Sequence, residues 1–163
     1  MNWFLLWLFL HILAVVISFG PTFVFPIVGS LAAQMPQHLR FAVELNHRIE
    51  MRLVLPLAVS LVISGAGLIW TANINIFRTP FLLVGVVLYL VALTVAFRVL
   101  LPTTARLVHL AEHAPLPAAA PGPPPREVMT LIRRLQMFGG LTTLLFLVII
   151  FLMVIQPGGI ALR

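Results

Sequence analysis

Residues 53–101 read LVLPLAVSLVISGAGLIWTANINIFRTPFLLVGVVLYLVALTVAFRVLL, and this stretch decides the fold. Two apolar segments, residues 53–72 and 80–101, flank the short connection TANINIFRT. Each segment has about the 20 residues that an α-helix needs to cross the hydrocarbon of a membrane. Because the connection is so short, the two helices must lie antiparallel. We therefore predict a transmembrane helical hairpin.

Two further apolar segments lie outside this hairpin. Residues 2–28 precede it and residues 135–155 follow it. No basic residue comes before the first segment, as a secretory signal peptide would require, so we expect a permanent helix there. The sequence predicts an all-α fold, a polytopic membrane four-helix bundle that forms one domain over residues 1–163, with helices at 2–28, 53–72, 80–101 and 135–155.

The composition excludes a soluble protein. The chain is 61% hydrophobic and 9% charged, against about 45–50% and about 25% in soluble domains. Its formal charge of +6 comes from arginines that lie beside apolar segments, so anionic lipid is a better partner than nucleic acid. Cysteine is absent, which excludes disulfides, iron–sulfur clusters and thiolate zinc sites.

The arginines predict the orientation. They concentrate in and beside the loops between helices one and two and between helices three and four, and such loops face the cytoplasm. We therefore expect a multi-pass protein of the bacterial cytoplasmic (inner) membrane with both termini outside. The arginines on the predicted cytoplasmic side are Arg40, Arg48, Arg52, Arg98, Arg106, Arg126, Arg133 and Arg134.

The two long loops differ in kind. Residues 31–50 mix apolar and charged positions at helical spacing, which predicts an extension of helix two. Residues 102–130 are predicted to form a cytoplasmic linker. It starts with a short helix that opens at Pro102, and it contains a proline-rich spacer at residues 115–125 that cannot be helical.

Small and hydroxyl side chains predict the buried face of each transmembrane helix. At 3.6 residues per turn, one such face occurs on every helix, which predicts one compact bundle. The faces are His11, Ser18 and Thr22 on helix one; Ser60, Ser64, Gly67 and Thr71 on helix two; Gly85, Tyr89, Ala92 and Ala96 on helix three; and Gln136, Gly139, Gly140 and Thr143 on helix four.

His11 is the one ionisable side chain deep within an apolar segment, and such a residue is a functional candidate. It can be a core residue that hydrogen-bonds Thr71 or Tyr89, which antiparallel threading places at similar depth. It can also be an axial ligand of haem b, with Met153 as the nearest second ligand. A proton relay is the third interpretation, and it lacks further ionisable groups at that depth.

A second group of histidines belongs to the predicted cytoplasmic side. His109 and His113 are four residues apart, so they share a helix face and can hold a divalent metal, together with His47. The alternative is a solvated face with no metal. Arg48 and Arg52 can pair with neighbouring glutamates and lipid phosphates, or they can form a basic cleft for an anionic substrate such as a porphyrin carboxylate.

Four segments carry a family resemblance. They are LHILAVVISFG in helix one, NHRIEMRLVLPLAVSLVISGAGLIW at helix two, VLLPTTARL after helix three and FGGLTTLLFLVIIFLMVIQPG in helix four. The chain resembles a bacterial family of predicted integral membrane proteins of unknown function, DUF2269, over nearly its whole length. This resemblance implies the architecture and no specific reaction.

A more distant similarity is to the haem-associated membrane protoporphyrinogen oxidases and the copper-resistance D membrane domains. His11 resembles their helix-one histidine, and Glu50, Arg52 and Leu53 partly match a segment that opens helix two in the oxidases. This similarity implies haem binding through His11. The oxidases also carry a lysine on helix three, and this chain has no lysine.

These observations lead to three functional hypotheses. The first is a non-enzymatic membrane protein that holds one b-type haem and serves as a redox or accessory subunit, in contact with lipid and with other membrane subunits or further copies of itself. The second is a membrane porphyrinogen-type oxidoreductase. A purely structural or interaction subunit without a cofactor is a further alternative. The third, a small transporter, lacks an intramembrane acid that could couple ions.

Overall fold

The computed structural model describes residues 2–35, 38–113 and 125–159, with the backbone alone at residues 32–34, 39, 112 and 113. Within these residues, four helices are long and apolar enough to cross a membrane: Trp3–Leu31, Arg40–Thr71, Pro80–Ala111 and Arg126–Ile155. The predicted all-α membrane fold with four spans is confirmed.

The helices are α1 (Trp3–Gln34), α2 (Leu39–Ile49), α3 (Leu55–Thr71), α4 (Pro80–Val95), α5 (Leu101–His113) and α6 (Arg126–Ile155). A π-helical segment, Glu50–Val54, joins α2 to α3 into one continuous helix, and a second one, Ala96–Leu100, joins α4 to α5 in the same way. The predicted extension of helix two is thus α2. The hairpin connection contains a single 3₁₀ turn, Ile76–Arg78.

Both π-helical segments end two residues before a proline, Pro56 in one and Pro102 in the other. Proline has no N–H for the carbonyl four residues earlier, and its ring crowds that carbonyl. The helix widens here, and an N–H donates to the carbonyl five residues back, as from Leu101 to Ala96. The short helix predicted to open at Pro102 is present as α5, but it continues from α4 through the wider turn instead of starting anew.

Glycines allow the closest helix pairs to form. Helix α1 packs against α3, and α4 packs against α6. The ring of Trp7 lies on Gly67, and the methyl group of Met153 lies on Gly85, so that a Cβ atom at either glycine would overlap its neighbour. Such close contacts are a main source of helix association in lipid, where the hydrophobic effect does not drive helices together.

Two small hydrophobic clusters lie at different levels of the protein. In the bundle, Phe19 stacks on Phe146 with ring centroids 4.0 Å apart, beside the buried Ala14 and Leu61. The second cluster joins α2, α5 and the start of α6, and its buried members are Val43, Leu107, Val128 and Leu131. The helices continue past the apolar segments because these amphipathic parts bury apolar side chains against one another.

We name the two ends of the protein by what they contain. The arginine-rich end comprises residues 38–54, 96–113 and 126–135, and the hairpin end comprises residues 2–7, 70–80 and 150–159. Between them, many large apolar side chains are exposed on the outside of the bundle, including Phe9, Val16 and Phe151. These are the surfaces that lipid covers in a membrane.

Several predicted boundaries differ from the structure. Helix α1 reaches residue 34, α6 begins at residue 126, and both ends of the predicted linker over residues 102–130 are helical. The proline-rich spacer lies outside the described residues, apart from Pro125, which directly precedes α6. The predicted inner face of helix four was also wrong, because Gln136 and Gly140 are exposed while Thr142 and Ile149 are buried.

Candidate functional site

His11 lies at the interface of α1 and α3 and is half-buried. Its Nδ1 atom is 2.9 Å from the Oγ atom of Ser64. The ring also packs on the adjacent Gly65, where an added Cβ atom would lie 3.5 Å from the imidazole Cε1, an ordinary van der Waals distance. The imidazole is therefore held by one hydrogen bond and packed on a residue that has no side chain.

The hydroxyl of Ser64 has one proton and three possible acceptors. Its Oγ atom lies 3.0 Å from the carbonyl oxygen of Ser60 and 3.3 Å from that of Leu61, besides its contact with His11. When the hydroxyl donates to its own helix, as serines in helices do, His11 must donate from Nδ1. The other ring nitrogen, Nε2, then carries a lone pair and is the atom that can bind a metal.

The predicted partners of His11 were wrong. Thr71 donates its hydroxyl proton to the carbonyl of Gly67 in the preceding turn, at 2.7 Å. Tyr89 donates to the carbonyl of Ala58 and so bridges α4 to α3. His11 was correctly placed on an inward face, and its partner is Ser64, which belongs to the face predicted for helix two.

Met153, the predicted second axial ligand, lies on a different helix pair. Its methyl group contacts Gly85 of α4, whereas His11 contacts α3. The two predicted ligands therefore contact different helices, Met153 contacting α4 and His11 contacting α3. Ligation of haem by either residue stays a prediction.

A cavity of about 620 Å³ opens at the hairpin end, one helical turn beyond His11. It is an open recess and not an enclosed pocket, since Trp3 is 58% and Trp70 is 78% exposed. Aromatic rings form most of its wall, and Trp7 is four residues before His11 on the same face of α1. The lining residues are Asn2, Trp3, Phe4, Trp7, Trp70 and Thr71.

The predicted metal ligands lie at the arginine-rich end. His47 is on α2, with its Nδ1 atom buried and without a hydrogen-bond partner, and His109 is exposed on α5. The side chain of His113 lies outside the described part of the structure. No group of three or more His, Cys, Asp or Glu side chains that could hold a metal occurs among the residues described. Metal binding by the three histidines stays a prediction.

A polar layer, of which the sequence pointed only to His47 and Glu50, separates the cluster at the arginine-rich end from the bundle. It contains Asn46, whose Oδ1 atom is buried without a partner, together with His47. The Glu50 carboxyl group lies near the buried Thr104, whose hydroxyl donates to the carbonyl of Leu100 at 3.0 Å, and Thr103 beside it is also buried. The spacing of Val43, Asn46, His47 and Glu50 along one helix face was the available signal.

The structure pairs only part of the positive charge at this end. Arg48 binds Glu44 one turn earlier on α2. Arg106 lies 3.8 Å from Glu127 and links α5 to α6. The other described arginines here are exposed, and they are Arg40, Arg52, Arg98, Arg126, Arg133 and Arg134.

The comparisons with known proteins agree with this architecture. The family described as predicted integral membrane protein (DUF2269) matches residues 5–157. No curated protein and no solved structure matches the chain. The similarity to the protoporphyrinogen oxidases and the copper-resistance D domains is not shown by these comparisons and stays a prediction. Because the match covers almost the whole sequence, the chain belongs to the DUF2269 family of predicted integral membrane proteins.

Proposed function

We propose that this protein is a non-enzymatic membrane subunit that holds one b-type haem through Nε2 of His11. The observation that supports the proposal is the hydrogen bond between His11 and Ser64. A histidine that ligates a metal usually donates its other ring N–H to a fixed acceptor, which sets the tautomer and the orientation of the ring. Ser64 is in the position to be that acceptor, at 2.9 Å from Nδ1.

The residues around His11 fit one axial ligand. A bound haem supplies a one-electron iron couple, and the chain supplies the imidazole, its orientation and an apolar surrounding. The ring packs on Gly65 of α3, and the aromatic cavity begins one turn away. We assign no second axial ligand, because Met153 is packed on Gly85.

The position of the arginines favours an accessory subunit over a porphyrinogen oxidase. Arg52 precedes Ser64 by 12 residues, which corresponds to about 18 Å along a helix. A porphyrin held at His11 would therefore lie too far from Arg48 and Arg52 for these side chains to orient its carboxylates. Porphyrinogen turnover that is lost in Arg48→Ala and Arg52→Ala variants with intact folds would favour the enzyme instead.

The localisation is part of the same proposal. We infer that the protein resides in the bacterial cytoplasmic membrane, with the arginine-rich end in the cytoplasm and both termini outside. The support is the uneven distribution of arginine, since Arg78 is the only described arginine at the hairpin end. The proposed haem site would then lie in the outer half of the membrane.

A second candidate is a structural subunit without a cofactor. The specific observation in its favour is that the Ser64 hydroxyl already satisfies one nitrogen of His11, as buried polar groups generally require. In this case His11 and Ser64 only fasten α1 to α3.

Optical spectra of the purified protein, oxidised and then reduced with dithionite, separate the two candidates. The haem proposal predicts a Soret band in wild type and in His109→Ala, a control histidine at the opposite end, and loss of the band in His11→Ala. A wild-type protein that stays colourless after haem is supplied rejects haem binding and leaves the structural subunit.

A further inference from the structure

A shallow groove runs along the face of α4 that is exposed on the outside of the bundle, and it continues into the second π-helical segment. Its volume is about 450 Å³. The lining residues lie on one face of a single helix, and they are apolar except for a threonine and the last member, an arginine. They are Leu90, Leu93, Thr94, Phe97 and Arg98.

The second π-helical segment shapes the end of this groove that is nearest the arginine-rich end of the protein. Phe97 and Arg98 lie within Ala96–Leu100, where Pro102 forces the wider turn. An added residue in a helical turn changes the direction of the side chains around it, and such π-bulges occur frequently at functional sites. Phe97 is 45% exposed and Arg98 is also exposed. Both side chains are therefore available to a ligand in the membrane.

Arg98 lies at the depth of the lipid head groups. It follows Pro80, the first residue of α4, by 18 residues, or about 27 Å along the helix axis. The hydrocarbon layer is about 30 Å thick. With Pro80 near one boundary of the hydrocarbon, Arg98 is near the other, while Leu90 and Leu93 are within it.

The charge of Arg98 is not matched by a described carboxylate. Glu44 binds Arg48, Glu127 is near Arg106, and Glu50 is near Thr104. The hydroxyl of Thr94, the other polar residue of the groove, donates to the carbonyl of Leu90 at 2.8 Å. Arg98 is thus the cation at the end of an apolar groove, which is the arrangement that complements an anionic amphiphile.

The geometry points to a binding site for one anionic diacyl phospholipid. Its phosphate binds the guanidinium of Arg98, and one acyl chain lies along Leu90, Leu93 and Phe97. This site is separate from the proposed haem site and does not depend on it. A free phosphate would use Arg98 alone, whereas a lipid requires the groove as well.

Native mass spectrometry of the detergent-purified full chain with dioleoyl phosphatidylglycerol tests the proposal. We expect one tightly bound phosphatidylglycerol per chain and weaker binding of phosphatidylcholine with the same acyl chains. Arg98→Gln should weaken phosphatidylglycerol binding about fivefold, the effect of roughly one basic residue at an anionic head group. The matched control is Arg134→Gln, an exposed arginine at the same end on α6, which should leave binding within about twofold.

Two further variants guard against the case in which Arg98→Gln weakens lipid binding only because it disturbs the fold. Arg98→Lys keeps the charge and should keep the preference for phosphatidylglycerol. Leu90→Trp, at a residue that is 51% exposed, fills the groove without a change in charge and should weaken binding of the lipid. The proposal is overturned when Arg134→Gln weakens binding as much as Arg98→Gln, when Leu90→Trp binds like wild type, or when glycerol 3-phosphate without acyl chains competes equally.

Discussion

His11 Nδ1 lies 2.9 Å from Ser64 Oγ, across the interface between α1 and α3. This hydrogen bond joins the first membrane span to the second. Among the described residues, His11 is the one histidine within the bundle. In the first candidate function the hydrogen bond orients a haem ligand, and in the second it fastens two helices. Both predict that the two side chains act as a pair.

A double-mutant cycle measures this pairing. His11→Ala and Ser64→Ala should each destabilise the protein, and the double variant should lose less stability than the sum of the two. The expected coupling energy is about 0.6 kcal/mol, the average for interhelical hydrogen bonds in membranes, and at most about 1.7 kcal/mol. Reversible unfolding in mixed micelles supplies the free energies. Strictly additive losses would show that the hydrogen bond contributes nothing to stability.

Replacement of Gly67 by alanine should separate α1 from α3. The added methyl group overlaps the Trp7 ring, which is large and rigid, so we expect a loss of about 1–3 kcal/mol in the free energy of unfolding. Gly139→Ala is the matched control, because its Cβ atom would have no neighbour within 4 Å. Trp7→Leu should partly rescue Gly67→Ala. Equal stability of the two glycine variants would contradict the packing described for α1 and α3.

The chain has no cysteine, so single cysteines can report its orientation directly. Phe77 is 84% exposed at the hairpin end, and Met129 is 52% exposed at the arginine-rich end. In intact cells, a membrane-impermeant maleimide should label Phe77→Cys and leave Met129→Cys unlabelled until the cells are broken. Labelling in the opposite pattern would invert the proposed topology.

We expect Pro102 to shape the lipid groove and to lower the thermal stability of the protein. Pro102→Ala restores an N–H for the carbonyl of Arg98, so the turn can return to α-helical geometry. We expect a higher midpoint of thermal unfolding and a smaller preference for phosphatidylglycerol over phosphatidylcholine. Pro56→Ala is the control, since it alters the first π-helical segment and leaves the groove unchanged. An unchanged lipid preference in Pro102→Ala would exclude a role of the π-helical segment in that site.

The number of spans was predictable from sequence because a membrane requires about 20 apolar residues in one helix. The inward faces of helices one to three were also predictable: Ser18, Ser64 and Ala92 are buried as expected. Helix four was misread because Gly139 and Gly140 look like packing positions, yet no side chain approaches them. The face of α6 is instead set by bulky contacts such as Phe146 on Phe19.

The hydrogen-bond partner of His11 was harder to predict, because it depends on the relative depth of two helices. A shift of one helical turn, about 5.4 Å, exchanges the residues that face His11, and the apolar segments do not define depth that finely. Thr71 was a plausible partner, but a threonine in a helix can satisfy its hydroxyl on its own backbone, as Thr71 does on Gly67. The continuity of α4 and α5 was missed because a proline looks like a helix start until the wider turn is seen.

A haem titration tests the central proposal most directly. Haem is added in steps to the purified wild-type protein and to His11→Ala at equal helix content, and Soret absorption is followed. The account predicts saturation at one haem per chain for wild type, binding about tenfold weaker for Ser64→Ala, which loses the partner that orients the ligand, and no saturable binding for His11→Ala. Identical titration curves for wild type and His11→Ala would contradict it.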